Sequence, residues 1–159
     1  MVHVIGVIGE SEFSDPAHEA LAEEVGRRVA EAGAVLVCGG LTGVMEAACR
    51  GARRAGGRTI GILPGTDRAE ANPFVDVAVA TGMGQARNAI IVLTADAVVA
   101  IGGGYGTLSE IGLALRFGRP VIGLRTWEAG RGERRVPVVA AASPEDAVRR
   151  ALALAREGR

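Results

Sequence analysis

Short runs of β-branched and other apolar residues alternate along this chain with longer segments of helical period. The alternation is typical of βαβ units, which fold into a parallel sheet with helices on both faces. Parallel strands are buried on both faces and are therefore almost continuously apolar, as these runs are. We predict an α/β fold, a Rossmann-like three-layer αβα sandwich whose mostly parallel sheet has about seven strands in the order 3-2-1-4-5-6-7. The predicted strands are Val4–Ile8, Val35–Cys38, Thr59–Leu63, Val75–Val79, Ala97–Ile101, Val121–Leu124 and Val136–Val139.

The length and charge of the chain suit one domain that handles a small molecule. With 159 residues it has the usual size of one domain, and we predict a single Rossmann-like nucleotide- or phosphate-binding domain over residues 1–159. The formal net charge is zero, so the chain lacks the basic surface that nucleic acids and anionic membranes attract. We see neither a signal-like start nor an apolar stretch of membrane-spanning length, and we predict a cytoplasmic protein without nucleic-acid or membrane partners.

Residue usage narrows the chemistry. All 18 basic residues are Arg, whereas pyridoxal phosphate needs a Lys for its Schiff base and the Walker A loop needs a Lys on its phosphates. We therefore expect neither a pyridoxal phosphate enzyme nor a Walker A nucleotide site. Cys38 and Cys49, with His3 and His18 remote from them in sequence, fit neither a disulfide framework nor a zinc spacing. We expect two reduced, buried thiols and no metal site.

Two glycine-rich segments each follow a predicted strand and open a predicted helix: Gly102–Thr107 and Gly39–Gly43. Glycine lets the backbone approach a ligand closely, and the unpaired N–H groups at a helix start favour phosphate. Both turns lie at the carboxyl edge of the predicted sheet, where open α/β sheets bind ligands. For either turn alone, a tight turn without a ligand is the alternative. The predicted ligand- and phosphate-binding residues are Gly39, Gly40, Thr42, Gly43, Gly103, Gly104, Tyr105, Gly106 and Thr107, with Gly9 and Ser11 near the other end of the ligand.

A dinucleotide-dependent oxidoreductase is the obvious rival interpretation. It needs G-x-G-x-x-G after the first strand and an acidic residue roughly 20 residues later to hold the ribose. Here the first turn, Gly6–Ser11, departs from that pattern, and the second strand ends in Val37–Gly39 without a carboxylate. We therefore do not expect NAD.

Arg87 and Glu110 stand apart from the solvated surface charges. Arg87 precedes an apolar helix, where its guanidinium could neutralise a phosphate or a developing charge, and Glu110 could act at a sugar carbon. Each has a structural alternative. Residues 107–110 form a capping-box pattern in which Glu110 would only bond the Thr107 N–H, and Arg87 could be an ordinary surface residue at a helix start.

Two predicted helices, Gln85–Thr94 and Leu108–Phe117, carry apolar residues on all sides. Such a pattern indicates full burial, yet a domain this small has little room to bury two helices completely. We predict that one or both form a subunit interface, giving a homodimer or a higher homo-oligomer.

At these residues the chain resembles the Lonely Guy family, also labelled "possible lysine decarboxylase", with its patterns P-G-G-x-G-T-x-x-E and G-G-G-x-x-G-L-M-G. The resemblance covers nearly the whole chain. It implies a homodimer that uses Arg87 and Glu110 to hydrolyse the N-glycosidic bond of adenine-type nucleoside 5′-monophosphates, with no cofactor required. Lysine decarboxylation is excluded because the chain has no Lys. Gly103, Gly104, Gly106, Thr107 and Glu110 match the first pattern, Gly39, Gly40, Gly43 and Met45 match the second, and Arg87 takes the place of the catalytic Arg.

The departures from these patterns resemble a small bacterial branch that includes molybdenum cofactor carrier proteins. Gly102 replaces the Pro, Cys38 and Glu46 replace the outer glycines, and Asn88 stands where a Lys usually follows the catalytic Arg. In such carriers the same cleft would bind a phosphate-bearing pterin without turnover, with Gly9 and Ser11 at the base or pterin end. Two functions stay open at this point: a carrier that binds molybdenum cofactor or a nucleotide, and a phosphoribohydrolase.

Overall fold

The computed structural model describes residues 1–158, which form three layers around one seven-stranded sheet. Every neighbouring pair of strands in this sheet is parallel, and the predicted fold class is confirmed. The sheet strands are β1 (Val4–Gly9), β2 (Val35–Cys38), β3 (Thr59–Leu63), β4 (Val77–Ala80), β5 (Ala97–Ile101), β6 (Val121–Leu124) and β9 (Val138–Ala140). A separate antiparallel hairpin joins β7 (Gly130–Arg131) to β8 (Arg134–Arg135). The helices are α1 (Ala17–Glu31), α2 (Val44–Arg54), α3 (Asn88–Thr94), α4 (Tyr105–Arg116) and α5 (Pro144–Glu157), with 3-10 turns at Arg68–Glu70 and Gly84–Arg87.

The strand order differs from the predicted one at a single strand. The sheet runs β4-β3-β2-β1-β5-β6-β9, so the fourth strand lies at the edge beside β3, not between the first and fifth strands as predicted. Between β3 and β4 there is a 3-10 turn and no α-helix. As an edge strand, β4 leaves Val77 and Val79 exposed, whereas we expected a strand buried on both faces. The chain therefore crosses to the other half of the sheet only after β4.

Helices cover both faces of the sheet and divide the core in two. On one face α1, α2 and α5 bury an apolar cluster that includes Val25, Val29 and Val148. On the other face α3 and α4 bury a cluster that includes Ile91 and Ile111. The first cluster contains Cys38 and Cys49, which are both free and buried, as expected. Within the described part of the chain, no helix is long and apolar enough to cross a membrane.

Candidate functional site

A cleft of about 670 Å³ lies at the carboxyl ends of β1 and β5. These strands are neighbours at the point where the strand order reverses, because β1 pairs with β2 on one side and with β5 on the other. Such a switch point is where open α/β sheets bind ligands. Of the predicted site residues, the structure brings Gly9, Ser11, Arg87, Gly103, Gly104, Tyr105, Gly106, Thr107 and Glu110 together around this cleft.

The loop Gly102–Thr107 offers a row of backbone donors. Helix α4 begins at Tyr105, and the first N–H bonded inside it is that of Leu108, which donates to Gly104 O at 3.1 Å. Within residues 1–158, the N–H groups of the four residues before Leu108 have no protein acceptor. Unpaired N–H groups at the positive end of a helix dipole form a site for an anion. This part of the cleft can therefore hold a phosphate.

The Glu10 carboxylate, which the sequence analysis did not single out, is buried beside this loop. Its Oε2 accepts from the Gly103 N–H (3.2 Å) and from Ser14 Oγ (2.8 Å), and its Oε1 accepts from His18 Nδ1 (2.7 Å) and from the Ser14 N–H (3.0 Å). Burial would raise the pKa of Glu10, but the hydrogen bonds from His18, Ser14 and Gly103 outweigh it and lower the pKa below its ordinary value. Glu10 is therefore ionised at neutral pH and anchors the start of the glycine loop.

The Glu10–His18 pair explains why a Gly replaces the Pro of the resembled pattern. Gly102 has a φ of 55°, a conformation that the fixed φ of Pro, near −65°, cannot adopt. A Cβ at Gly102 would also lie 2.7 Å from His18 Nδ1 and 3.1 Å from Glu10 Cδ. The departure at this position therefore follows from the residues that pack against the loop.

Arg87 lies at the inner wall of the cleft and is only 5% exposed, so the surface-residue alternative is wrong. Its Nε donates to Ile62 O (2.8 Å), Nη2 donates to Gly39 O (3.4 Å), and Nη1 donates to Asn88 Oδ1. Burial lowers the pKa of Arg87, and the nearby charge of Glu110 opposes that shift. The guanidinium thus ties the end of β3 to the turn after β2 while lending positive charge to the cleft.

Glu110 lies in the same cleft, on α4, and is 7% exposed. Its carboxylate accepts no hydrogen bond from residues 1–158; in particular, it does not bond the Thr107 N–H, so the capping-box alternative is wrong. Burial raises the pKa of Glu110 to about 7, although the positive charge of Arg87 acts in the opposite direction. A buried carboxylate without a hydrogen bond can accept one from a ligand or take up a proton near neutral pH.

The second glycine-rich turn lies behind the cleft. Gly39, Gly40, Thr42 and Gly43 do not line it, whereas Leu41 and Met45 do. Gly40 packs against Leu63, where a Cβ would come within 2.8 Å, and Gly43 packs against the Glu10 carbonyl oxygen, where a Cβ would come within 2.3 Å. Thr42 Oγ1 donates to Ser11 O at 3.0 Å. These contacts support the wall of the cleft, and direct ligand binding by this turn stays a prediction.

Further residues, most of them polar, line the cleft and were not predicted from the sequence. Asn88 is buried and its Nδ2 donates to Ser109 Oγ at 3.3 Å, which links α3 to α4 across the site. Glu10 directly follows Gly9 at the end of β1, so its place at the carboxyl edge could have indicated it. The missed lining residues are Glu10, Glu12, Ser14, Leu41, Gln85, Asn88 and Ser109.

The sequence model of the SLOG cluster4 family matches residues 2–148. The chain belongs to this family. A protein from Archaeoglobus fulgidus is 48% identical to this SLOG cluster4 member over 121 residues, which cover 76% of this chain and 79% of the relative.

Two solved structures of similar proteins share the fold over almost the whole length. The molybdenum cofactor binding protein from the phototrophic bacterium Rippkaea orientalis is 38% identical, with a TM-score of 0.87 over 97% of this chain and 98% of that chain. The Moco carrier protein from Chlamydomonas reinhardtii is 33% identical, with a TM-score of 0.86 over 99% of each chain. The structural neighbours of this SLOG cluster4 protein therefore include cofactor carriers.

Proposed function

We propose that this protein binds the phosphate-bearing pterin of a molybdenum cofactor and carries it without turnover. One observation carries the proposal: four backbone N–H groups, those of residues 104–107, lack a protein acceptor in a cleft large enough for a cofactor. The similarity to a molybdenum cofactor binding protein and to a Moco carrier protein, at 38% and 33% identity, supports it. We further propose that the carrier works as a cytoplasmic homodimer.

The side chains of the cleft fit the two ends of such a ligand. A phosphate would lie on the N–H groups of residues 104–107. A pterin ring presents amide and amino N–H donors, and the Glu110 carboxylate, which lacks a hydrogen bond within residues 1–158, is a matching acceptor. Within the described residues, no group of three or more His, Cys, Asp or Glu side chains is arranged to hold a metal ion. We therefore propose that the protein contacts the phosphate and the heterocycle of the cofactor and does not coordinate its metal.

The phosphate end can be tested with adenosine 5′-monophosphate as a probe. Because the anion site consists of N–H groups, calorimetry should show adenosine 5′-monophosphate binding at least about tenfold tighter than adenosine. Equal affinities would contradict phosphate binding by the loop. The absorbance spectrum and molybdenum content of freshly purified protein test the cofactor itself, and we expect a pterin spectrum together with bound molybdenum.

A phosphoribohydrolase is the second candidate, favoured by one observation. Glu110 is buried beside Arg87, and its pKa, raised to about 7, suits a group that exchanges a proton near neutral pH. Against it, the guanidinium of Arg87 uses three of its five N–H donors to bond Ile62, Asn88 and Gly39, which fixes it as part of the wall of the cleft. We therefore favour the carrier.

Release of adenine from adenosine 5′-monophosphate separates the two candidates. For a hydrolase, Glu110→Gln should abolish adenine release and leave binding of the monophosphate largely intact, since the phosphate is held by the glycine loop. For a carrier, the unmodified protein should release no base from any of several purine monophosphates. Release of adenine that depends on Glu110 would replace the carrier proposal by the hydrolase.

A further inference from the structure

A second cavity, of about 390 Å³, lies beside the glycine loop. It opens at the carboxyl ends of β6 and β9 and is bordered by the β7–β8 hairpin. Its volume falls in the range of about 300–1,000 Å³ that is common for small-molecule sites. Like the cleft, it lies at the carboxyl edge of the parallel sheet, where ligands bind. No part of the function proposed above uses it.

One aromatic wall separates this cavity from the cleft. Trp127 lines the cavity, and its Nε1 donates to Gly104 O, in the glycine loop, at 3.1 Å. Tyr105 lines the cleft and stacks on Trp127 with 6.1 Å between ring centroids and 24° between ring planes. Thr126 Oγ1 donates to Gly102 O at 2.6 Å, a second link to the same loop. The two cavities therefore lie on either side of one loop and one pair of stacked rings.

The charges of the second cavity suit a phosphate. Two basic residues, Arg125 and Arg135, and one acidic residue, Glu128, line it. Within the described part of the chain, Arg135 forms no ion pair, and the ion pair of Arg125 is a long one of 3.8 Å to an exposed Asp15 carboxylate. Planar guanidinium groups that are not consumed by protein carboxylates bind phosphate through paired hydrogen bonds.

The backbone at Arg125 adds an independent observation. Arg125 follows β6 directly and has a φ of 51°, and it is the only non-glycine residue with positive φ among residues 1–158. Such conformations are strained for side chains with a Cβ, and they concentrate at functional sites. A Gly would relieve the strain but would remove a positive charge from the lining of the cavity.

We propose that this cavity is a second nucleotide subsite, which binds the distal half of a pyrophosphate-linked dinucleotide whose first half lies in the cleft. The inference rests on the proposed function and specifies its ligand class. Arg125 and Arg135 hold the distal phosphate, and the distal heterocycle packs on Trp127 and the apolar side chains of Val136 and Val138. The protein thus carries a cofactor in its dinucleotide form.

Calorimetry with two probes tests this proposal: adenosine 5′-monophosphate, which reaches the cleft alone, and diadenosine diphosphate, in which two adenosines share a pyrophosphate. The dinucleotide should bind about tenfold tighter or more, because it adds charge-assisted hydrogen bonds in the second cavity. Arg135→Ala and Arg125→Gly should each remove most of the affinity that the dinucleotide gains over the monophosphate. Both variants should keep the affinity for the monophosphate within about twofold of the wild-type value. The Gly variant also relieves the strained backbone, so it should fold.

Arg134→Ala is the matched control, since Arg134 neighbours Arg135 in the hairpin but does not line the cavity. This variant should bind the dinucleotide as much more tightly than the monophosphate as the wild-type protein does. Trp127 is the only Trp of the chain, so its fluorescence should change more with the dinucleotide than with the monophosphate. If the monophosphate binds and the dinucleotide binds no tighter, or if the tighter binding survives in both Arg variants, the second subsite is overturned while the proposed function stands. If the monophosphate itself does not bind, the proposed function falls and the subsite falls with it.

Discussion

Glu10 Oε2 accepts a hydrogen bond from the Gly103 N–H at 3.2 Å, so the first donor of the glycine loop is already bonded to a carboxylate of the protein. The two residues are 93 positions apart in sequence, and the bond joins the end of β1 to the loop after β5. The donors left for a ligand phosphate begin at Gly104. A phosphate on the remaining donors would lie next to a fixed negative charge, and the shape of the loop depends on that charge.

We expect Glu10→Gln to destabilise the protein at pH 7 by about 1–2 kcal/mol, because bonds to a charged acceptor become bonds to a neutral one. The pKa of Glu10 is lower in the folded protein than its ordinary value of 4.5, so the unfolded chain takes up the proton first. The contribution is therefore complete above about pH 4.5 and is lost as the pH falls through the folded pKa. Urea unfolding at pH 7 and at pH 3 should show the difference between wild type and variant shrinking at the lower pH.

Glu12→Gln is the matched control for this experiment, since Glu12 also lines the cleft but is exposed. It should leave the free energy of unfolding nearly unchanged at both pH values. A constant difference between wild type and Glu10→Gln from pH 7 to pH 3 would show that ionisation of Glu10 does not stabilise the fold.

The stability that Glu110 contributes should depend on pH in the opposite direction to that of Glu10. Burial raises its pKa to about 7, so between about pH 4.5 and pH 7 the folded protein holds a proton that the unfolded chain has lost. The contribution of Glu110 to the free energy of unfolding is therefore largest below the pKa of the unfolded chain. It falls as the pH rises towards the folded pKa, by at most about 1.4 kcal/mol per pH unit. Glu110→Gln should therefore gain stability relative to wild type between pH 5 and pH 8, as measured by urea unfolding. Parallel pH profiles of the two proteins would contradict a raised pKa.

Those features of the site that depend on a few neighbouring residues could be predicted from the sequence. Gly103–Thr107 could be placed at the carboxyl edge of the sheet because it lies between a strand and a helix, and Arg87 and Glu110 could be singled out from the surface charges; all of them line the cleft, and phosphate binding by the loop stays a prediction. The Gly39–Gly43 turn has the same pattern, yet its glycines do not line the cleft; Gly40 packs against Leu63 and Gly43 against the backbone of Glu10 and Ser11. A glycine that makes room for packing and one that makes room for a ligand look alike in a sequence, since both only lack a Cβ.

Features that depend on contacts between residues far apart in the chain could not be predicted from the sequence. The edge position of β4 depends on which strand its backbone pairs with, and its apolar run from Val75 to Val79 looked like a buried strand. The role of Glu10 depends on His18 and Gly103, which meet it only in the folded chain. The loop at Gly102 departs from the resembled pattern for the same reason.

Gly102→Ala should destabilise the protein by about 2 kcal/mol or more, because Ala is strained at a φ of 55° and its Cβ would lie 2.7 Å from His18 Nδ1. The affinity for adenosine 5′-monophosphate should fall with it, since the loop must move. Gly112→Ala is the control in the adjoining helix, where a Cβ would meet open space. It should raise the free energy of unfolding by up to about 1 kcal/mol and leave binding unchanged. Thermal unfolding and calorimetry measure both quantities, and equal effects of the two variants would contradict the packing of the loop on His18.

The surface where α3 and α4 end carries exposed apolar side chains. In the single chain Leu93 is 47% exposed and Phe117 is 43% exposed. Both lie where the two helices end, and Arg119 Nη2 donates to Leu93 O at 3.2 Å across that region. Large exposed apolar residues at the ends of two neighbouring helices favour association with a second copy, particularly at zero net charge.

We therefore expect the protein to sediment as a dimer or larger at micromolar concentration and Phe117→Glu to shift it towards the monomer, because a carboxylate would be buried in the interface without a partner. Val136→Glu is the control, since Val136 is also exposed but lies beside the β7–β8 hairpin. It should leave the sedimentation coefficient unchanged. A wild-type protein that sediments as a monomer would show that α3 and α4 tolerate these residues in water, and a Phe117→Glu variant that stays dimeric would place the interface on another surface.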